Sequence, residues 1–183
     1  MIRIMSISCA VLLVAIPANA QSTSETVEIA LLAAPTRARA DATVIDWDEN
    51  GNRVVLRQGS NGLVCYDRSG DPGQRPFSVQ CTSEGNLPRI EQNRKALEEA
   101  GNRARAQKLL DALEANGTRE TPEFGSVWHS LNGNERENTR LHLTVAVPFA
   151  TTETLGVPSE RNASVIWIMD AGTSTAHLMI PGR

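Results

Sequence analysis

The sequence predicts an α+β fold: a single domain on a mainly antiparallel sheet, with one or two helices packed on it and one disulfide. Three observations lead there. Strand-like segments fall in two blocks, residues 42–82 and 124–180, each broken by Asn, Gly and Pro. The run between them, 88–116, repeats apolar residues at helical spacing. Helix and strand signals are therefore segregated rather than alternating, which favours antiparallel pairing over βαβ units.

The first twenty residues stand apart. Arg3 is the only charge there. Cys9–Ile16 is apolar, Pro17 breaks the run, and Ala18-Asn19-Ala20 forms an A-x-A site before Gln21. These are the parts of a secretory signal peptide, in order. The apolar stretch is too short to cross about 30 Å of hydrocarbon, which argues against a membrane anchor. The expected division is a signal peptide over 1–20 and one mature domain over 21–183, periplasmic or secreted.

In the mature part, residues 22–34 predict a helix. Ser22 and Glu25 have capping-box spacing, and Val27, Ala30, Leu31 and Ala34 share one face. Ala42–Asp48 and Arg53–Gln58 read as strands around Asn50-Gly51, a hairpin signal. Asn61-Gly62 suggests a second turn into Leu63–Tyr66, so three successive antiparallel strands are expected. Asp67–Pro76 is loop-like, and Phe77, Val79 and Cys81 alternate with polar residues as a fourth strand.

Asn86 and Pro88 mark the start of the 88–116 helical run. Gly101-Asn102 interrupts it, consistent with either a kinked helix or a helical hairpin. Phe124–Leu131 reads as a strand. In 141–147 the residues Leu141, Leu143, Val145 and Val147 fall on one face. Val165–Met169 is apolar on both faces, which predicts a buried central strand containing Trp167. Ala176–Ile180 closes the chain as a strand.

Removing Cys9 leaves Cys65 and Cys81. In an oxidising compartment two remaining cysteines pair, and here they clamp the base of the polar loop. Closing such a loop stabilises by about 3 kcal/mol in the chain-entropy model.

The chain has 183 residues and a net charge of −3, with 4% aromatics and 40% hydrophobic residues. This length buries roughly 70% of the unfolded surface, enough for a core. The acidic balance argues against nucleic acid as a partner. No stable membrane anchor is expected after processing.

The segment Leu56–Cys65 (LRQGSNGLVC), the Pro/Gly loop to Cys81, and the ending Trp167–Thr173 (WIMDAGT) with Ala176–Pro181 (AHLMIP) resemble a group of uncharacterised secreted bacterial proteins. The resemblance covers about residues 42–82 and 141–181. The group usually carries Trp where Leu63 stands here. The resemblance implies export and the disulfide; it implies no catalytic residue.

Several constellations bear on chemistry. His142 and His177 begin predicted strands on their less apolar faces, and Asp170 could complete a zinc site with them. No HxH or HExxH pair supports this, and each His, like His129, serves equally well as a strand-end hydrogen-bonding group. Asp46-Trp47-Asp48-Glu49-Asn50-Gly51 matches the first half of a calcium loop, but position twelve is Arg57. Ser60, His177 and Asp170 make a hydrolase triad on paper, without a G-x-S-x-G elbow. Arg68, Asp71 and Arg75 lie in the disulfide-closed loop and form a candidate binding loop, since loops carry function.

The reading from sequence is an exported non-catalytic binding or interaction module, with an unidentified protein or small ligand as partner and no cofactor. The alternative is a small metal-dependent enzyme using His142 and His177.

Overall fold

The structure, a computed structural model, describes residues 18–161 and 163–180. The expected signal peptide lies outside the described residues as far as residue 17. Helix α1 (Ala18–Ala30) continues into a 3₁₀ turn, Leu31–Ala33, before Pro35. It starts ahead of Ser22, so Ser22 and Glu25 do not frame its beginning as expected. No Gly or Pro stands between Pro17 and Pro35 to stop the helix from extending backwards.

Among the described residues eight strands form one sheet: β1 (Thr43–Trp47), β2 (Arg53–Arg57), β3 (Leu63–Asp67), β4 (Phe77–Ser83), β5 (Val127–Gly133), β6 (Thr139–Ala146), β7 (Trp167–Met169) and β8 (His177–Met179). Their order is β2-β1-β3-β4-β5-β6-β8-β7. Every neighbouring pair is antiparallel except β1 and β3, which are parallel.

That exception corrects the expected run of three antiparallel strands. β1 and β2 make the Asn50-Gly51 hairpin, but the chain then crosses the start of β1 and β3 pairs on its far side. The crossover is held by Ser60 and Asn61, whose backbone N–H groups donate to the Asp41 carbonyl at 2.8 and 3.2 Å. Gly59 permits it. A Cβ there would lie 2.3 Å from the Asp41 carbonyl oxygen.

The two faces of the sheet are covered differently. On one, Ala30, Leu31, Ala33 and Ala34 pack over Ala42, Val44, Cys65, Val79 and Cys81. Small residues on the helix let it sit close to the sheet. Cys65 and Cys81 are directly opposed across β3 and β4 and form the disulfide, both fully buried, with Cα atoms 4.1 Å apart.

On the other face sit α2 (Leu87–Ala100) and α3 (Arg103–Ala115), a helical hairpin. Gly101 ends α2 with φ 67°, a left-handed turn that glycine adopts without strain. Asn102 then caps α3 by accepting from Arg105 N–H at 3.0 Å. Asn86 does not cap α2 with its side chain. It is fully buried, donates to Thr82 and Ser126 hydroxyls at 2.8 and 2.9 Å, and accepts from Glu123 N–H at 2.8 Å.

β7 is not the central strand that its apolar run predicts. It is an edge strand, shorter than expected; Val165 and Ile166 are 46% and 40% exposed, and Trp167 is half-buried. The reason is the tight return that follows. Asp170 (φ 55°) and Gly172 (φ 81°) turn the chain so that β8 takes the inner place against β6. Of the run, Ile168 alone is fully buried, against Val147, Ala150 and Ala176. Likewise the expected apolar face of β6 is only partly covered, with Leu141 exposed.

Candidate functional site

Alternation along the central strands makes the sheet apolar toward α1 and polar toward the helical hairpin. On β4, Val79 and Cys81 face α1, while Ser78, Gln80 and Thr82 face the other way. The register then aligns residues across strands. Tyr66 opposes Gln80, Gln80 opposes Ser130, and Ser130 opposes His142. This row is the floor of a cleft whose roof is α2 and α3, with a cavity volume of about 620 Å³. That is ample for a small organic molecule. Trp47, Trp128, Ile90, Leu97 and Leu110 supply apolar wall.

The floor is tied by one hydrogen-bond network. The Tyr66 hydroxyl donates to Gln80 Oε1 at 2.6 Å, and Arg68 Nη1 donates to the same oxygen at 3.2 Å. Gln80 Nε2 therefore donates onward, to Ser130 Oγ at 2.7 Å. Arg68 Nη2 and the Ser78 hydroxyl both donate to Asn132 Oδ1, at 3.2 and 2.7 Å. Both amide oxygens are saturated by these bonds. The groups left to act toward the cleft, the Ser130 O–H and the Asn132 amide N–H, are donors.

Arg68 makes no ion pair with a carboxylate among the described residues, and its Nε is buried without a hydrogen-bond partner. Burial pushes its guanidinium below the ordinary arginine value, and the nearby Arg103 pushes the same way. The Asp67 charge and, more strongly, the Asp71 charge favour its ionisation, but Asp71 makes no bond to it. Its carboxylate takes Arg94 at 2.8 Å, and Arg94 also pairs with Glu98 at 2.9 Å and lies 4.6 Å over the Trp47 ring. Burial leaves Asp71 above the usual aspartate value despite Arg94.

The cleft continues at this end into a hollow of about 390 Å³ lined by Arg68, Gly73, Gln74, Arg75, Arg103, Ser130, Asn132 and His142. None of these residues is acidic. At the other end Arg89 is buried, donating to the Glu120 carbonyl, Ser174 Oγ and Thr175 Oγ1. Burial pushes it down to about 10.

The residues singled out from sequence are distributed as follows. Arg68 and Asp71 line the cleft and Arg75 its basic end. His142, His177 and Asp170 also line it. The two histidines are not opposite each other, because His177 pairs with Ala146. Ala146 lies four residues along β6 from His142, roughly 13 Å at strand spacing, beyond the reach of a shared zinc ion. Among the described residues no group of three His, Cys, Asp or Glu side chains is placed to hold a metal.

Ser60 is exposed on the crossover, outside the cleft lining that contains His177 and Asp170. In the acidic Asp46–Gly51 segment, Asp46 and Trp47 end β1 and the turn begins at Asp48. Asp48 Oδ1 accepts from the Asn50 and Asn52 N–H groups at 2.9 and 2.8 Å, which holds its carboxyl below the usual value. Arg57 turns away and donates to the Ala42 carbonyl at 2.7 Å.

Tyr66, Gln80, Ser130, Asn132 and Arg103 are the site residues that the sequence reading missed. A signal was present. Ser78, Gln80 and Thr82, and then Ser130 and Asn132, repeat polar residues at every second position of strands whose other face is apolar or buried. Compared with protein-family models, with curated proteins and with solved structures, the chain has no significant match.

Proposed function

We propose that the mature chain is an exported, non-catalytic binding protein, and that the cleft between the sheet and the α2–α3 hairpin takes a small organic ligand. The observation that carries this reading is the cavity of about 620 Å³ with aromatic and aliphatic walls and a floor of hydrogen-bonded polar groups. Concave, mostly preformed sites of this size with a few convergent polar groups are the usual form of a small-molecule site. The buried disulfide suits an oxidising compartment, and no helix among the described residues is long and apolar enough to cross a membrane.

Native mass spectrometry of the mature protein against a defined set of anionic, cationic and neutral small molecules tests the reading. Trp47 and Trp128 both line the cleft, so tryptophan fluorescence gives a second readout. Saturable binding that disappears in Thr144→Trp, which fills the cleft from β6, is the expected result. Equal binding by Thr144→Trp, or no binder in any class, overturns it.

A further inference from the structure

We propose that the basic end of the cleft holds the phosphate group of a small phosphorylated molecule. The inference rests on the cleft being the ligand site and names the chemistry of one end of that ligand.

Charge comes first. The chain is acidic overall at −3, yet the hollow beside β3 gathers Arg68, Arg75, Arg103 and His142 with no carboxylate among its described lining residues. Arg68 and Arg103 come from different elements and repel each other there, while Asp71 and Asp67, which partly offset this at Arg68, stand outside the hollow's lining. Bringing like charges together in a partly buried place is unfavourable unless a counter-charge joins them.

The position of Arg103 is the second observation. It is the first residue of α3, whose first turn carries no acidic residue. A cation is disfavoured at that end, where the helix dipole is positive and favours anions. Gly73, at φ 76°, brings the polar loop against it, and a Cβ on Gly73 would lie 2.9 Å from Arg103 Cβ. The sequence thus keeps an arginine where local helix preference opposes it, at the point where loop and helix close the hollow. Local rules are broken in this way mainly at functional sites.

Donor geometry selects the class of anion. The Ser130 O–H, the Asn132 amide and Arg68 rise from the sheet, Arg103 comes from the roof, and Arg75 and His142 complete the lining. A planar carboxylate offers two oxygens in one plane. A phosphate monoester offers three terminal oxygens in a tetrahedron and up to two charges, which matches donors arriving from floor and roof. The rest of the cavity, walled by Trp47, Trp128 and Leu110, leaves room for an organic body.

Titration calorimetry on the intact mature protein with phenyl phosphate, benzoate, inorganic phosphate and inorganic sulfate tests the assignment. Phenyl phosphate is expected to bind, and benzoate at least tenfold more weakly. Inorganic phosphate is expected to compete with phenyl phosphate. Arg103→Gln should weaken phenyl phosphate at least tenfold while leaving the melting temperature unchanged or raised, because it removes a cation from a helix N-terminus. Arg75→Gln, on an exposed side chain, is a second variant expected to weaken binding. Arg105→Gln, also in the first turn of α3 but outside the cleft lining, should bind as the parent does.

Unchanged binding in both Arg103→Gln and Arg75→Gln overturns the proposal. So does equal affinity for benzoate, which would mean a site for any anion, or equal affinity for sulfate and phosphate with no contribution from the phenyl group, which would mean an adventitious ion only. If neutral molecules bind and Thr144→Trp blocks them while no phosphate probe binds, this inference falls and the cleft remains a ligand site.

Discussion

Glu114 of α3 accepts hydrogen bonds from both the backbone N–H of Ser174, at 2.7 Å, and the Ser174 hydroxyl. The Ser174 oxygen in turn accepts from Arg89 Nη1 of α2 at 3.2 Å. The two helices that roof the cleft are thereby latched to the segment leading into β8. This latch and the loop against Arg103 lie at opposite ends of the roof.

The latch depends on the Glu114 charge. Burial opposes its ionisation, but the two bonds from Ser174 together with the Arg89 and Arg119 charges outweigh burial, and the carboxyl sits below the ordinary glutamate value. A depressed folded-state value contributes stability at pH above the ordinary value of about 4.3, and that contribution is lost as pH falls through the folded value. Glu114→Gln should cost roughly 1 kcal/mol at pH 7, a modest figure because water reaches the carboxylate. In urea unfolding the gap between parent and variant should close by pH 3. A gap that is the same at both pH values would show that the charge is not what holds the latch.

Removing the disulfide should be felt first in the loop that it closes. Cys65 and Cys81 are fully buried and directly paired, with the 68–76 loop rising from the strands they join. Replacing both with Ala should lower stability by about 2–4 kcal/mol. Hydrogen exchange should quicken in residues 68–76 before the rest of the sheet. Two thiols that react in the folded parent protein would contradict the pairing.

Much of this fold was legible because local chemistry and tertiary demand agree. The Asn50-Gly51 hairpin, the Gly101-Asn102 break and the alternation in β4 each follow from residues a few positions apart. What the sequence reading missed was decided at long range. Nothing local in Val165–Met169 states that β8 will take the inner place, because that depends on a turn at Asp170 with positive φ. Nothing in Leu63–Tyr66 states that β3 will skip β2. The same limit applies to the cleft. Arg68 and Arg75 stood out in a loop, but the partners that make a site, Ser130 and Asn132 of β5 and Arg103 of α3, come from two other segments joined by sheet register and helix packing.

The crossover gives a paired test of that long-range choice. A Cβ on Gly59 would meet backbone atoms of Asp41, Ala42 and Thr43, all within 2.4 Å, and backbone cannot step aside as a side-chain tip can. Gly59→Ala should therefore cost more than about 2 kcal/mol through displaced strand pairing at β1. Gly70 has nothing within 4 Å of its would-be Cβ. Gly70→Ala should change stability by no more than about 0.5 kcal/mol. Chemical denaturation of the two variants side by side decides the matter; equal effects would mean that the β1–β3 parallel pairing is not anchored at Gly59.

Tyr66 is the single tyrosine of the chain, so its ionisation can be followed without overlap from another. Its ring packs edge-on to Trp47 with centroids 5.4 Å apart, and its hydroxyl is committed to Gln80. Burial pushes the phenol well above the ordinary value of about 10, with Arg68 opposing and Asp71 adding to the shift. A raised folded-state value leaves stability intact below the unfolded value. Above about pH 10 the unfolded chain ionises and the native chain does not, so this group alone costs about 1.4 kcal/mol per pH unit. Absorbance at 295 nm should stay flat through pH 10 to 11 and rise together with loss of near-ultraviolet circular dichroism. Tyr66→Phe should lose the steep alkaline dependence while costing only about 1 kcal/mol at pH 7, since Gln80 keeps its bond from Arg68. A reversible rise at 295 nm near pH 10 with the fold intact would place the hydroxyl in water, and with it the order of the cleft floor from Tyr66 to Ser130.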